Sequence, residues 1–280
     1  MDKTTDWIQL WQELVRIGNR RRELSSGGQG QYRWKQRAYS FNEDVKIRWQ
    51  HPDSSRSLFL SRITPGSTVL DIGAGSGAWT ALAARKVKWV TAVEPDPDMC
   101  TILKKNLANE GITNVRLITG IWPEVDVEPH DFSLSSHSMY GCPDLPGFIC
   151  RMEAVTRRTC FFLIRQPSLH GVMAEAALHV WGHPHDSPNF VVAINVFAQM
   201  GIYPNVQIED SGYWKPWKHD SLEQALAEVK LRLGLEGPLH DAFLQDLLQQ
   251  RLVFENGYYI WPAATLSAMI YWQPKASKFY

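Results

Sequence analysis

The stretch that most constrains this chain is Val69–Thr80, which reads Val-Leu-Asp-Ile-Gly-Ala-Gly-Ser-Gly-Ala-Trp-Thr. A short apolar run (Val69, Leu70, Ile72) enters glycines at alternate positions, Gly73, Gly75 and Gly77, and an alanine-rich segment at helical spacing, Ala78–Lys86, follows. That order is strand, tight turn, helix start. Glycine is required where the backbone turns with positive φ, or where a ligand comes within contact distance of the main chain. The first amides of the helix then offer donors to that ligand.

Spacing narrows the choice of ligand. A dinucleotide-binding turn is Gly-x-Gly-x-x-Gly, with the pyrophosphate on the helix N-terminus. Here the glycines run Gly-x-Gly-x-Gly behind Asp71. A carboxylate at that point repels a pyrophosphate and suits an ammonium group. The next apolar run, Trp89–Val93, ends in Glu94, and a carboxylate at the tip of a second strand accepts both ribose hydroxyls. A cationic amino acid joined to a ribose describes S-adenosylmethionine. The sequence here resembles the class I S-adenosylmethionine-dependent methyltransferases. Asp71-Ile-Gly73-Ala-Gly75-Ser-Gly77 matches their first motif, and Val93-Glu94-Pro95-Asp96-Pro97-Asp98-Met99 their second. The resemblance covers about Pro65 to Arg165 firmly and the rest more loosely.

The resemblance implies that Asp71, Gly73, Ala74, Gly75 and Glu94 hold the cofactor, with Pro95 and Met99 flanking its ribose and adenine. After the third strand the family often carries an acidic residue that touches the adenine. This chain reads Gly120-Ile121-Trp122, with Ile121 where the acid would stand. A main-chain amide of Ile121 or Trp122, or stacking by Trp122, is expected to take its place.

Composition bounds the remaining classes. At 280 residues the chain is long for one domain and short for two. Its zero net charge gives no global attraction to nucleic acid or anionic lipid. No apolar run approaches the roughly 18 residues that span a bilayer, and the N-terminus lacks the basic-then-apolar order of a signal peptide. Cys100, Cys142, Cys150 and Cys160 show no Cys-x-x-Cys spacing, so reduced thiols and a cytoplasmic location are expected. The 12 tryptophans suggest aromatic-lined surfaces around a cleft.

Along the chain, Thr5–Arg22 predicts an amphipathic helix that closes in Arg20-Arg21-Arg22. That run is read as a solvated helix end or, with Arg33, Lys35 and Arg37 interleaved with Tyr32 and Trp34, as a nucleic-acid or anionic-substrate contact. Gln31–Phe41 is similar to the Trp-x-x-Arg-Ala-x-x-Phe/Tyr element of these methyltransferases, through Trp34, Arg37, Ala38 and Phe41. The resemblance implies that it lies over the cofactor's methionine end; the alternative is a packing helix. A helix over Ser54–Ile63 precedes the first strand. Strands are predicted at Trp89–Val93, Val115–Thr119, Asp131–Ser136, Cys160–Ile164, Pro204–Glu209 and Ala264–Tyr271. Helices are predicted at Asp98–Glu110, Asp144–Thr156, Ser187–Met200, Leu222–Leu233 and His240–Leu252.

The end of the fourth strand should face the transferred methyl group. It reads Ser135-Ser136-His137-Ser138-Met139-Tyr140-Gly141-Cys142-Pro143, without the Asn/Asp-Pro-Pro-Tyr/Phe of adenine amino methyltransferases. His137, able to take a proton near neutral pH, and Tyr140 are the candidate catalytic residues; a His137 that only packs on the cofactor is the alternative. Gln166–Asn189 is expected to be a substrate-side loop acting as a lid. It carries His179-x-x-x-His183-x-His185, but Gly182 and Pro184 break any single helix face, so no metal site is expected.

The expected fold is α/β: a doubly wound, seven-stranded, mostly parallel sheet, with the seventh strand antiparallel between the fifth and sixth as in the family. Residues 1–53 are read as a helical cap and 54–280 as the methyltransferase domain, with 166–190 as the lid and 220–252 as an added helix pair. The expected acceptor is a small molecule. An RNA acceptor, and a non-catalytic S-adenosylmethionine-binding regulatory protein, are the alternatives. Oligomeric state is not legible.

Overall fold

The computed structural model describes residues 5–25, 30–50, 53–210, 214–263 and 265–275. Among them, helices α1 (Trp7–Ser25), α2 (Gly30–Trp49) and α3 (Ser54–Arg62) lead into β1 (Thr68–Ile72), α4 (Ala78–Ala84), β2 (Trp89–Glu94), α5 (Pro97–Asn109) and β3 (Val115–Thr119). Then come β4 (His130–Ser136), α6 (Leu145–Ala154), β5 (Thr156–Pro167), α7 (Val172–Trp181), α8 (Phe190–Gln199) and β6 (Asn205–Glu209). The last elements are β7 (Lys218–His219), α9 (Leu222–Leu233), α10 (Asp241–Arg251), β8 (Val253–Glu255), β9 (Tyr258–Ile260) and β10 (Thr265–Trp272).

The main sheet has the order β3-β2-β1-β4-β5-β10-β6. β10 runs antiparallel to β5 and β6, as expected, and the other pairs are parallel. The order reverses between β1 and β4, which opens a crevice beyond the carboxyl ends of both strands. β1 is covered on both faces, and Val69, Leu70 and Ile72 are fully buried, as a central parallel strand requires. Asp96 caps α5 by accepting from the Asp98 and Met99 amides, with Pro97 in the first turn.

One face of the sheet carries Phe59, Val69, Phe132, Phe161 and Met269. The other carries Leu70, Phe148, Phe162 and Phe197 together with Leu10, Trp11, Leu14 and Val15 of α1. Trp11 is fully buried, and its Nε1 donates to the Cys142 carbonyl at 2.8 Å. The first helix is thus part of the main core.

Three features differ from expectation. β5 extends over Thr156–Pro167 because antiparallel β10 pairs with it from Cys160 to Pro167. The segment expected as a loop contains α7, whose Val172, Met173, Ala176 and Ala177 share a second core with Leu226, Val229, Leu244 and Leu248 of α9 and α10. That helix is stabilised by partners more than 40 positions away in sequence, which no local pattern announces. The small sheet β7-β9-β8 is made of strands of two or three residues, too short to show a period.

Candidate functional site

A cavity of about 820 Å³ lies where the sheet order reverses. Its wall includes Asp71, Gly73, Ala74 and Gly75 from the turn after β1, Glu94, Pro95 and Met99 from the tip of β2 and the start of α5, and His137 from the end of β4. Seven of the ten residues expected around the cofactor therefore meet in one place. The other three, Gly120, Ile121 and Trp122, do not line it. Gly120 adjoins it, donating its amide to the Glu94 carbonyl at 3.1 Å, and Ile121 is exposed. The Trp122 indole points into the core, packed edge-on against Phe148 and donating to the Phe148 carbonyl at 3.3 Å. In this conformation it cannot stack on a ligand in the cavity.

The turn itself shows why glycine stands where it does. Gly73 and Gly75 have φ of 71° and 56°, in the left-handed region that strains other residues. A Cβ on Gly73 would lie 2.2 Å from the Ser138 Cβ, so the turn and the end of β4 are in contact. Above Gly75 the space is open, with only the Phe41 ring edge at 3.9 Å from such a Cβ. A ligand can therefore reach the Gly75 backbone.

Two buried acids face this space. Asp71 Oδ2 accepts from the Thr80 hydroxyl at 2.6 Å. Burial pushes its carboxyl up to about 7, and the charge of Glu94 adds to the rise. Burial also pushes Glu94 up, opposed by hydrogen bonds from the Asp96 and Gly75 amides. Those amides donate to Oε1 at 2.9 Å and to Oε2 at 2.7 Å, leaving each oxygen a lone pair for a ligand hydroxyl. Two desolvated carboxyls side by side favour a cationic ligand, whose charge would offset theirs.

His137 has a positive φ of 54°, which turns the chain out of β4. Its Nδ1 lies 2.8 Å from the Tyr140 hydroxyl, which in turn accepts from the Arg165 amide at 2.9 Å. This bridge joins the ends of β4 and β5. Tyr140 itself lies behind His137 and off the cavity wall.

Sequence reasoning missed part of the wall. Beyond the expected Phe41, α2 also brings Val45 and Trp49 to the cavity, the three at a spacing of four that marks one helix face. Asn106 Nδ2 donates to Asn42 Oδ1 at 2.8 Å and to the Ser76 carbonyl at 2.9 Å, fastening α2 to the glycine turn. Phe41 thus sits over the turn, whereas the side chains of Trp34 and Arg37 lie outside the described residues, as do those of Tyr32, Arg33 and Lys35. Ser136, Ser138, Trp79 and Asp98 also line the cavity.

The remaining candidates are placed elsewhere. Arg20 pairs with Glu236 on the surface, and Arg22 bonds Asn19. Arg21 is half-buried beside Glu228, Arg165 and Asp186. His179 stacks on Phe243 of α10, while the His183 and His185 rings lie together, His185 against Trp7. Among the described residues no group of His, Cys, Asp or Glu is arranged to hold a metal ion. No described helix is long and apolar enough to cross a membrane. All four cysteines are free, Cys150 exposed and Cys160 buried.

Comparison with known proteins bears on this arrangement. Residues 69–159 match a family model described as a methyltransferase domain. A probable ribosomal RNA small subunit methyltransferase A of Methanosphaera stadtmanae is 38% identical over 86 residues, 30% of this chain and 32% of that protein. A probable cobalt-precorrin-6B C(15)-methyltransferase (decarboxylating) of Methanobrevibacter smithii is 37% identical over 62 residues, 22% of this chain and 33% of that one. The chain spans about a third of the length of these curated relatives. The structure of an S-adenosylmethionine-dependent methyltransferase from Geobacter sulfurreducens, in complex with S-adenosyl-L-homocysteine, superposes with a TM-score of 0.50 at 15% identity, covering 80% of this chain and 92% of that one. That likeness is one of fold. Residues 69–159 therefore resemble a methyltransferase domain, set within a sheet of order β3-β2-β1-β4-β5-β10-β6.

Proposed function

We propose that this protein transfers the methyl group of S-adenosylmethionine to a small-molecule acceptor held beside His137. The observation that carries the reading is the meeting of the glycine turn, the Glu94 carboxylate and His137 on one cavity. Asp71 suits the ammonium of the cofactor, Glu94 its ribose hydroxyls, and the backbone of Gly73, Ala74 and Gly75 its methionine portion. Pro95 and Met99 flank the ribose and base, and Gly120 with Ile121 contributes main chain at the edge. Bound there, the cofactor supplies an electrophilic sulfonium methyl. The work left to the protein is orientation of the acceptor and exclusion of water. His137 orients the acceptor or takes its proton, and Tyr140 sets the ring of His137. Residues 54–280 form the methyltransferase domain in this reading, with α2 of the preceding segment closing over the turn and the α7 region on the acceptor side.

A small acceptor is favoured over RNA by the basic run. Arg20 is paired with Glu236, and Arg21 lies beside Glu228 and the buried Asp186, so the cluster is not displayed as a phosphate-binding stripe.

Calorimetry with S-adenosylhomocysteine and with NADH tests the cofactor reading. Micromolar or tighter binding of the first and none of the second is expected; the reverse would overturn it. RNA binding that is tight, salt-sensitive and abolished by neutralising Arg20, Arg21 and Arg22 would replace the small acceptor with RNA.

A further inference from the structure

We infer that a second, smaller cavity is the acceptor site, and that it takes an aromatic ring carrying one anionic group. The inference rests on the methyltransferase reading above. This cavity, about 240 Å³, lies between β5, α7, the segment before β7 and the segment after β9. It falls below the roughly 300–1,000 Å³ of sites for drug-sized ligands. A single ring system fits that size; a tetrapyrrole or a polynucleotide does not.

Its walls name the chemistry. Trp214, Trp217 and Trp261 supply indole faces, and Val172 and Met173 an apolar side. Aromatic walls of this kind favour a planar ligand. The charges of the wall are Arg165, Lys215, Arg232 and Asp186. Arg165 donates to the Pro188 carbonyl at 3.1 Å and lies 3.4 Å from Asp186. The Arg232 guanidinium stacks 3.8 Å from the Trp217 ring centre and bonds Glu228 at 2.5 Å. Arg21 adjoins the same acids. Arg21, Arg165 and Arg232 lie beside two acids, Asp186 and Glu228, and Lys215 adds a fourth cation on the cavity wall. The first turn of α7 also faces this space, begun by Gly171, which has no side chain to cap its amides. The balance calls for an anion.

The two cavities adjoin. The Trp214 ring meets His137 edge-on at 5.3 Å between centres, and His137 lines the first cavity while Trp214 lines the second. The Tyr140 hydroxyl ties His137 to the backbone of Arg165, a second-cavity residue. A ring seated among the tryptophans thus has one edge toward His137 and its anionic group toward Arg165, Arg232 and Lys215.

The test uses the full chain saturated with S-adenosylhomocysteine, with indole-3-carboxylate, phenyl phosphate, indole and benzylamine as probes, read by calorimetry and ligand-observed NMR. Indole-3-carboxylate or phenyl phosphate should bind at least tenfold tighter than indole or benzylamine, and the tighter of the two identifies the anionic group. Lys215→Ala, at an exposed position, should weaken that binding several-fold and leave S-adenosylhomocysteine affinity unchanged. Equal or tighter binding of indole or benzylamine, no effect of Lys215→Ala, or no binding of either anion overturns the inference while leaving the cofactor reading intact. Failure of S-adenosylhomocysteine itself to bind removes both.

Discussion

The Gly75 amide donates a 2.7 Å hydrogen bond to Glu94 Oε2, tying the turn after β1 to the tip of β2. One carboxylate therefore does two things: it satisfies a backbone donor of the glycine turn, and it presents its remaining lone pairs to the cavity. Damage at Glu94 should show in both stability and binding, and the two can be separated.

Glu94→Ala is expected to weaken S-adenosylhomocysteine binding by about 1–3 kcal/mol and to lower the melting temperature, because the Gly75 and Asp96 amides lose their acceptor. Glu94→Gln keeps an acceptor for one amide and should recover part of the melting temperature but little of the affinity. Calorimetry and thermal denaturation on the same samples check the pair.

Asp71 predicts a pH dependence. Its carboxyl is raised from an ordinary 3.8 to about 7 by burial. A raised acid contributes stability that is fully present below the unfolded value and is lost as pH climbs through the folded one, here from about 4 to about 7. A cationic ligand favours the ionised form, so its binding should release a proton below pH 7. Affinity should then rise by up to about tenfold per pH unit toward 7 and level off above it. Calorimetry in buffers of different ionisation enthalpy reads the proton directly. Asp71→Asn should bind more weakly, show no such release, and be at least as stable as the parent above pH 7.

The glycines of the turn should respond differently to one methyl group. Gly73→Ala puts a Cβ 2.2 Å from Ser138 as well as straining φ, and a loss of roughly 2–4 kcal/mol is expected in chemical denaturation. Gly75→Ala meets only Phe41 at 3.9 Å. It should be destabilised by only about 1–2 kcal/mol, yet it should lose cofactor affinity because the methyl fills the space above the turn.

For His137, substitution by Asn is the informative change, since Asn tolerates the left-handed backbone seen there. If the imidazole orients or deprotonates the acceptor, turnover with any acceptor should fall roughly 10²–10⁴-fold with cofactor affinity nearly unchanged. A fall in affinity with turnover surviving at saturation would mean that His137 only packs on the cofactor. Tyr140→Phe should lower turnover less, through loss of the hydroxyl that positions His137.

Thiol labelling checks the cysteines. In the native protein Cys150 should react first, being exposed. Cys160, buried and with its thiol pushed up to about 12, should react only on unfolding, when four thiols are expected.

What the sequence by itself determined is the half of the candidate site built from contiguous residues. Strand, glycine turn and helix start follow one another within Val69–Ala84, and Glu94 closes the next strand, so Asp71, Gly73, Gly75 and Glu94 were legible from spacing and backbone chemistry. The place of β10 between β5 and β6 came from family resemblance, because strand order depends on partners far apart in sequence. Tertiary structure alone decided the direction of the Trp122 indole, which follows Phe148 of α6 into the core. It also decided the cover of the cavity by Val45 and Trp49 and the existence of α7. The second cavity belongs wholly to that level. Arg165, Val172, Trp214, Arg232 and Trp261 span nearly a hundred positions, and no periodicity links them. They meet because α7 packs on α9 and α10, burying apolar faces that lie far apart in the sequence.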